Sequence, residues 1–86
     1  MKVYVTVTTV MDKSGKLMPD RIHWEDGREF EIDRIFDVRP SCSLKAGGQG
    51  DRYTVQVRGK LSYLYFERGT DDRNLSFGRW FVEVKN

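Results

Sequence analysis

Asp26-Gly27 stands between two alternating runs, Ile22-His23-Trp24-Glu25 and Arg28-Glu29-Phe30-Glu31-Ile32, and no other feature of the 86-residue sequence limits the fold so sharply. Asp-Gly tolerates the positive φ angles of a type I′ turn, whose twist matches paired strands, so the segment predicts a β-hairpin. The same alternation recurs along the chain. Val3, Val5 and Val7 alternate with Tyr4, Thr6 and Thr8, a β-branched pattern that favours a strand with one buried face. Asp12-Lys13-Ser14-Gly15 forms the first turn. Pro19 cannot donate to a ladder and belongs at a strand start, an edge or a bulge, so pairing of the second strand (17–24) is expected to be secure from Arg21 onward.

The third strand places Phe30, Ile32, Phe36 and Val38 on one parity. Arg34 and Ile35 disturb it, predicting a bulge or bend near Asp33-Arg34 of the kind that curls a sheet toward a barrel. Pro40 ends this strand. A fourth strand (Tyr53, Val55, Val57), a turn at Arg58-Gly59-Lys60, a fifth strand from Leu61 to Glu67, a loop from Gly69 to Gly78 and a sixth strand from Arg79 to Lys85 follow. Six sequential ribbons without a helical period predict an all-β antiparallel meander, closing into a partly open SH3-like barrel, with an OB-like barrel as the alternative. Residues 1–86 form one domain. The predicted core is Val3, Val5, Val7, Ile22, Trp24, Phe30, Ile32, Phe36, Val38, Val55, Val57, Leu64, Phe66, Trp80, Val82 and Val84. Eleven aromatic residues supply enough buried area for so small a core.

Charge is unevenly distributed. Residues 20–37 hold seven carboxylates against three arginines, a local charge of −4, whereas residues 39–60 hold five cations against Asp51, a local charge of +4. Cross-strand pairing between these segments is expected to cancel the two. The formal net charge of +2 does not by itself point to nucleic acid. A lone cysteine, Cys42, excludes an internal disulfide, the N-terminal residues lack a secretory signal, and no apolar run reaches the roughly 20 residues of a spanning helix, so a cytoplasmic setting without membrane insertion is expected.

Chemical motifs are sparse. Gly47-Gly48-Gln49-Gly50 lacks the Gly-Lys-Ser/Thr and following helix of a phosphate loop, leaving Lys45, Gly47, Gly48, Gly50 and Arg52 as a weak anion loop beside the simpler reading of a turn. His23 and Cys42 could make a nucleophilic pair only with an orienting group and an oxyanion hole that the sequence does not supply. One His and one Cys do not complete a tetrahedral metal site, and Glu29, Glu31 and Asp33 read as a solvated face neutralised by Arg21. No catalytic residue, cofactor or metal is assigned. Tyr63, Tyr65 and Phe81 fall on the parity opposite the core. Either Leu75 and Phe77 cover them or they meet another molecule. Together with Arg52, Arg58, Lys60 and Arg79 they form the candidate interaction surface. A protein partner or homo-oligomer is favoured over single-stranded nucleic acid, and enzymatic activity is the least supported class.

The stretches Trp24-Glu25-Asp26-Gly27-Arg28, Leu44-Lys45-Ala46-Gly47-Gly48 with Gly50-Asp51-Arg52-Tyr53, and Arg79-Trp80-Phe81-Val82-Glu83 resemble a group of short bacterial proteins without an assigned role. The resemblance implies a bacterial, cytoplasmic setting and transfers no ligand or catalytic residue.

Overall fold

The computed structural model describes residues 1–41 and 49–84. Seven antiparallel strands occur in it: β1 (Lys2–Met11), β2 (Leu17–His23), β3 (Glu29–Glu31), β4 (Arg34–Ser41), β5 (Gln49–Val57), β6 (Lys60–Thr70) and β7 (Ser76–Glu83). No helix occurs among the described residues. The order β3-β2-β1-β7-β6-β5-β4 curls into a half-barrel whose two edge strands are consecutive in sequence, joined by Ile32-Asp33.

That junction explains why seven strands appear where six are expected. Ile32 N donates to Asp20 O at 3.0 Å, while the next amide, Asp33 N, donates to Gln56 O at 2.8 Å. Adjacent peptides therefore bond to β2 on one side and β5 on the other, which breaks the ladder at the bend the sequence predicts. β1 makes the matching corner. Its first part, Lys2 to Val5, pairs with β7, and its second part, Thr6 to Met11, pairs with β2.

The turn chemistry departs from expectation. Trp24 N donates to Arg28 O at 2.8 Å and Gly27 N to Trp24 O at 3.0 Å, with Gly27 at φ 94°. Asp26 is not among the positive-φ residues. Three residues thus close the hairpin with glycine in the left-handed region, the bulged alternative to a type I′ turn. The same pair of backbone bonds closes Asp12 to Lys16 with Gly15 at φ 88°, and Asp71 to Leu75 with Asn74 at φ 62°. Two successive positive φ angles, the mark of a type I′ turn, occur instead at Arg58 (51°) and Gly59 (77°).

On the concave face Ile22, Tyr53, Val55, Leu64 and Trp80 form the buried core, with Val5, Val7, Phe30, Ile32, Ile35, Phe66 and Val82 packed against it. Tyr53, outside the predicted core, lies with its ring 5.1 Å from Trp80. Its hydroxyl donates to Leu17 O at 3.0 Å, so the phenol is satisfied while buried. Phe36 and Val38 were expected inside and are 47% and 45% exposed. A register shift between Ile35 and Asp37 leaves Phe36 as the extra residue and sends Ile35 to the core opposite Val55, while Val38 lies on an edge strand with no neighbour beyond it. Pairing of β2 begins earlier than expected, at Leu17. The irregularity sits beside Pro19, where Thr8 and Thr9 oppose Arg21 and Pro19 and Asp20 is skipped.

Candidate functional site

Strand register builds a second aromatic layer on the convex face. Tyr65 opposes Phe81, and Phe81 opposes Tyr4, so three rings from β6, β7 and β1 lie in a row. Tyr65 and Phe81 stack at 4.8 Å and 6°, and Tyr4 meets Phe81 edge-on at 5.9 Å and 72°. Lys2 Nζ lies 4.5 Å over the Phe81 ring. Phe81 is consequently 1% exposed and presents no surface, which corrects its place in the expected contact patch. The cover is not the expected one either. Leu75 is 54% exposed at the hairpin tip, and the Phe77 ring lies over Gly69.

Beside these rings Glu67 is buried among cations. Its carboxylate accepts from Lys2 Nζ at 3.0 Å, Arg79 Nη2 at 2.9 Å and the Tyr4 hydroxyl at 3.1 Å. Burial pushes its pKa up, but the bonds from Lys2, Arg79 and Tyr4 outweigh this and hold it below the ordinary carboxylate value. Arg79, expected as a free cation, is thus spent on Glu67, with its guanidinium 4.3 Å over Tyr4 and 4.8 Å over Phe77. Tyr63 remains available at 51% exposure, with the Arg52 guanidinium over its ring, 4.6 Å from the centroid. Arg52 Nε is buried without a hydrogen-bond partner, and Arg39 stands directly opposite on β4. Like charges directly across a ladder are unfavourable. Asp37 relieves Arg39 at 2.9 Å, whereas no ion pair reaches Arg52 among the described residues.

Arg58 and Lys60 lie elsewhere. They belong to the β5–β6 turn, where the Arg58 guanidinium sits 4.8 Å over Phe30 and Lys60 opposes Val57. Phe30 and Val57 line a cleft of about 310 Å³ at the mouth of the half-barrel. Ile22, Val57 and Val82 form its apolar part, Trp24 and Phe30 its aromatic part, and Arg28, Ser62 and Glu83 complete the lining. Sequence reasoning assigned Trp24 and Phe30 to the core, and both are half-buried. The signal for the cleft is nonetheless in the sequence: two rings flank one turn, and Arg28 lies between them, 5.5 Å from the Phe30 centroid.

The charge halves cancel only in part, through Asp37, which pairs with Arg39 at 2.9 Å and whose pKa the charge of Arg52 also helps to lower. Acidic residues of β2 and β3 bond within their own hairpin, through Arg21 to Glu29 at 3.6 Å, His23 to Glu29 at 3.0 Å and Arg28 to Asp26 at 2.6 Å. β5 pairs with β4 and β6 instead, so of the acidic segment it meets β4 and the preceding Asp33. As a result Arg34, Arg52, Arg58 and Lys60 enter no ion pair among the described residues. Arg34 rests 5.2 Å over Phe36.

Of the anion loop, Lys45, Gly47 and Gly48 lie outside the described residues, as does Cys42. Gly50 opposes Ser41, and Arg52 belongs to the convex face. His23 Nε2 is 2.7 Å from Thr8 Oγ1, so its ring is engaged on the surface of the hairpin. Among the described residues no three His, Cys, Asp or Glu side chains gather at one point, and no helix is long and apolar enough to cross a membrane. No protein-family model, curated protein or solved structure matches the chain.

Proposed function

We propose that this chain is a non-enzymatic binding module of the bacterial cytoplasm, and that its ligand is single-stranded nucleic acid lying across β4, β5 and β6. The observation that carries this reading is that Arg34, Arg52 and Arg58 each lie over an aromatic ring, at 5.2, 4.6 and 4.8 Å from its centroid, while none of them enters an ion pair among the described residues. A guanidinium held over an aromatic ring remains a cation able to meet a phosphate oxygen, and rings and guanidinium groups together suit unpaired bases. Lys60, beside Arg58, adds a fourth cation. The protein contact favoured by sequence loses ground because Phe81 is enclosed in the convex layer, with half-buried Tyr65 stacked on it.

Phosphate contacts release counterions, so binding of single-stranded RNA or DNA should weaken with added salt. Four contacts imply a slope of about −3 in log affinity against log salt, and Arg52→Gln and Lys60→Gln should each make it shallower by about 0.7. Gel-shift titrations at several salt concentrations measure this. A salt-independent affinity, or no shift at the lowest salt, removes the reading.

A second reading has its own support. Phe36, Val38, Leu61 and Tyr63 are 47, 45, 70 and 51% exposed, an apolar supply suited to a protein partner or a second copy. Such contact would be face-on. Strand addition at the β4 edge is opposed by the bulge at Phe36, by Pro40 and by the charges of Arg34, Asp37 and Arg39, the usual guards of an edge strand. Sedimentation showing concentration-dependent association, with neither nucleic acid bound, would favour it.

A further inference from the structure

We infer that this chain forms a two-fold dimer in which β1 of one copy adds, edge to edge, to β1 of a second copy. The inference is independent of the nucleic-acid reading, whose strands β4, β5 and β6 lie beyond β7 in the sheet order. β1 parts from β7 after Val5, and from Thr6 to Met11 it pairs with β2 alone. One side of that half-strand therefore has no neighbouring ladder among the described residues, and the backbone groups along it are open to another strand.

The free edges of this sheet are not alike. β3 is 3 residues long and carries Glu29 and Glu31, while β4 has the bulge at Phe36, Pro40 and the charges of Arg34, Asp37 and Arg39. The half of β7 that faces the parting, Ser76 to Arg79, holds Gly78 and a cation. Thr6-Val7-Thr8-Thr9-Val10-Met11 has none of these guards, because it lacks charge, proline and glycine and is β-branched up to Met11. All of it except Val7 is exposed, Val10 at 54% and Met11 at 65%. An unguarded edge of this composition is a template for strand pairing.

Charge names the occupant. A charged partner strand finds no opposite charge on this edge, whereas a copy of the same strand meets it without repulsion. Antiparallel pairing about a two-fold axis brings residues of equal parity together. With Thr9 on the axis, Val7 lies opposite Met11 of the second copy and Thr8 opposite Val10, so each face gains an apolar or β-branched neighbour and a threonine pair sits at the centre.

Sedimentation equilibrium from micromolar protein to about 1 mM, where even weak interfaces assemble, should show monomer passing to dimer. Val10→Lys, at an exposed position, puts the usual guard on the edge and should raise the dissociation constant about ten-fold or more with unchanged circular dichroism. Leu61→Lys, on the β6 surface, should leave it unchanged. A second measurement needs no variant: in the dimer, those amides between Thr6 and Met11 that do not serve the β2 ladder should exchange slowly with D2O, and dilution should release them. A monomer at every concentration, a dimer undiminished by Val10→Lys, a dimer lost with Leu61→Lys, or edge amides that exchange equally fast at all concentrations would overturn the pairing.

Discussion

Arg58 holds φ at 51° in a turn position where asparagine or glycine is the usual occupant. A left-handed conformation costs an ordinary L-residue about 1–2 kcal/mol, and an exposed cation–π contact such as that with Phe30 returns only about 0.5–1 kcal/mol. The residue is therefore kept at a net cost to stability, and strain of this kind marks positions retained for another reason. Arg58→Asn should raise stability by about 0.5 kcal/mol in urea unfolding, because asparagine tolerates the angle, and should weaken binding of single-stranded RNA. An unchanged RNA affinity would separate Arg58 from ligand contact. Tyr53 teaches a related lesson. Its apolar ring reads from sequence as one position in an alternating strand, but it can be buried only because Leu17 O, 36 residues away, accepts its hydroxyl.

At the scale of elements, β6 and β7 run further than their sequences promise. Gly69 and Gly78 read as loop boundaries, yet both lie inside the ladder, opposite Phe77 and Arg68. An added Cβ at Gly69 would lie 2.7 Å from the Phe77 ring, and one at Gly78 would collide with the Phe66 ring. Each glycine is a seat for a phenylalanine, so the missing side chain is replaced by aromatic cover and the strand continues. Gly78→Ala should destabilise by about 1–3 kcal/mol through overpacking of Phe66, measured by urea unfolding. A neutral result would show that Phe66 can move aside. Turns obey the same contextual logic. Asp26-Gly27 was legible as a hairpin because glycine supplies the positive φ, but whether two or three residues close the loop was settled by the pairing of Trp24 with Arg28.

The whole molecule carries two hydrophobic layers on one sheet, and the outer one is pinned by a buried charge. Glu67 is 8% exposed, and the bonds from Lys2, Arg79 and Tyr4 set its pKa below the reference value of 4.5 in spite of burial. On acidification the unfolded chain takes up this proton first, so the contribution of Glu67 is intact above about pH 4.5 and is lost as pH falls through the lower, folded value. Unfolding free energies measured from pH 7 to pH 3 should decline below that point. Glu67→Gln should cost about 1–3 kcal/mol at neutral pH and flatten the decline; an equally steep decline in the variant would assign acid sensitivity to other carboxylates. Hairpins, alternation, the bend near Asp33 and most concave-face residues were determined by the sequence alone, because side-chain period and turn stereochemistry are local. Only the tertiary structure decided that Phe81 is enclosed, that Arg79 pairs with a buried carboxylate while Arg52 enters no ion pair among the described residues, and that Trp24 and Phe30 flank an open cleft. These outcomes depend on which strands become neighbours when the sheet curls, and on a bulge that inverts the parity of β4, and such long-range juxtapositions leave no local mark in the sequence.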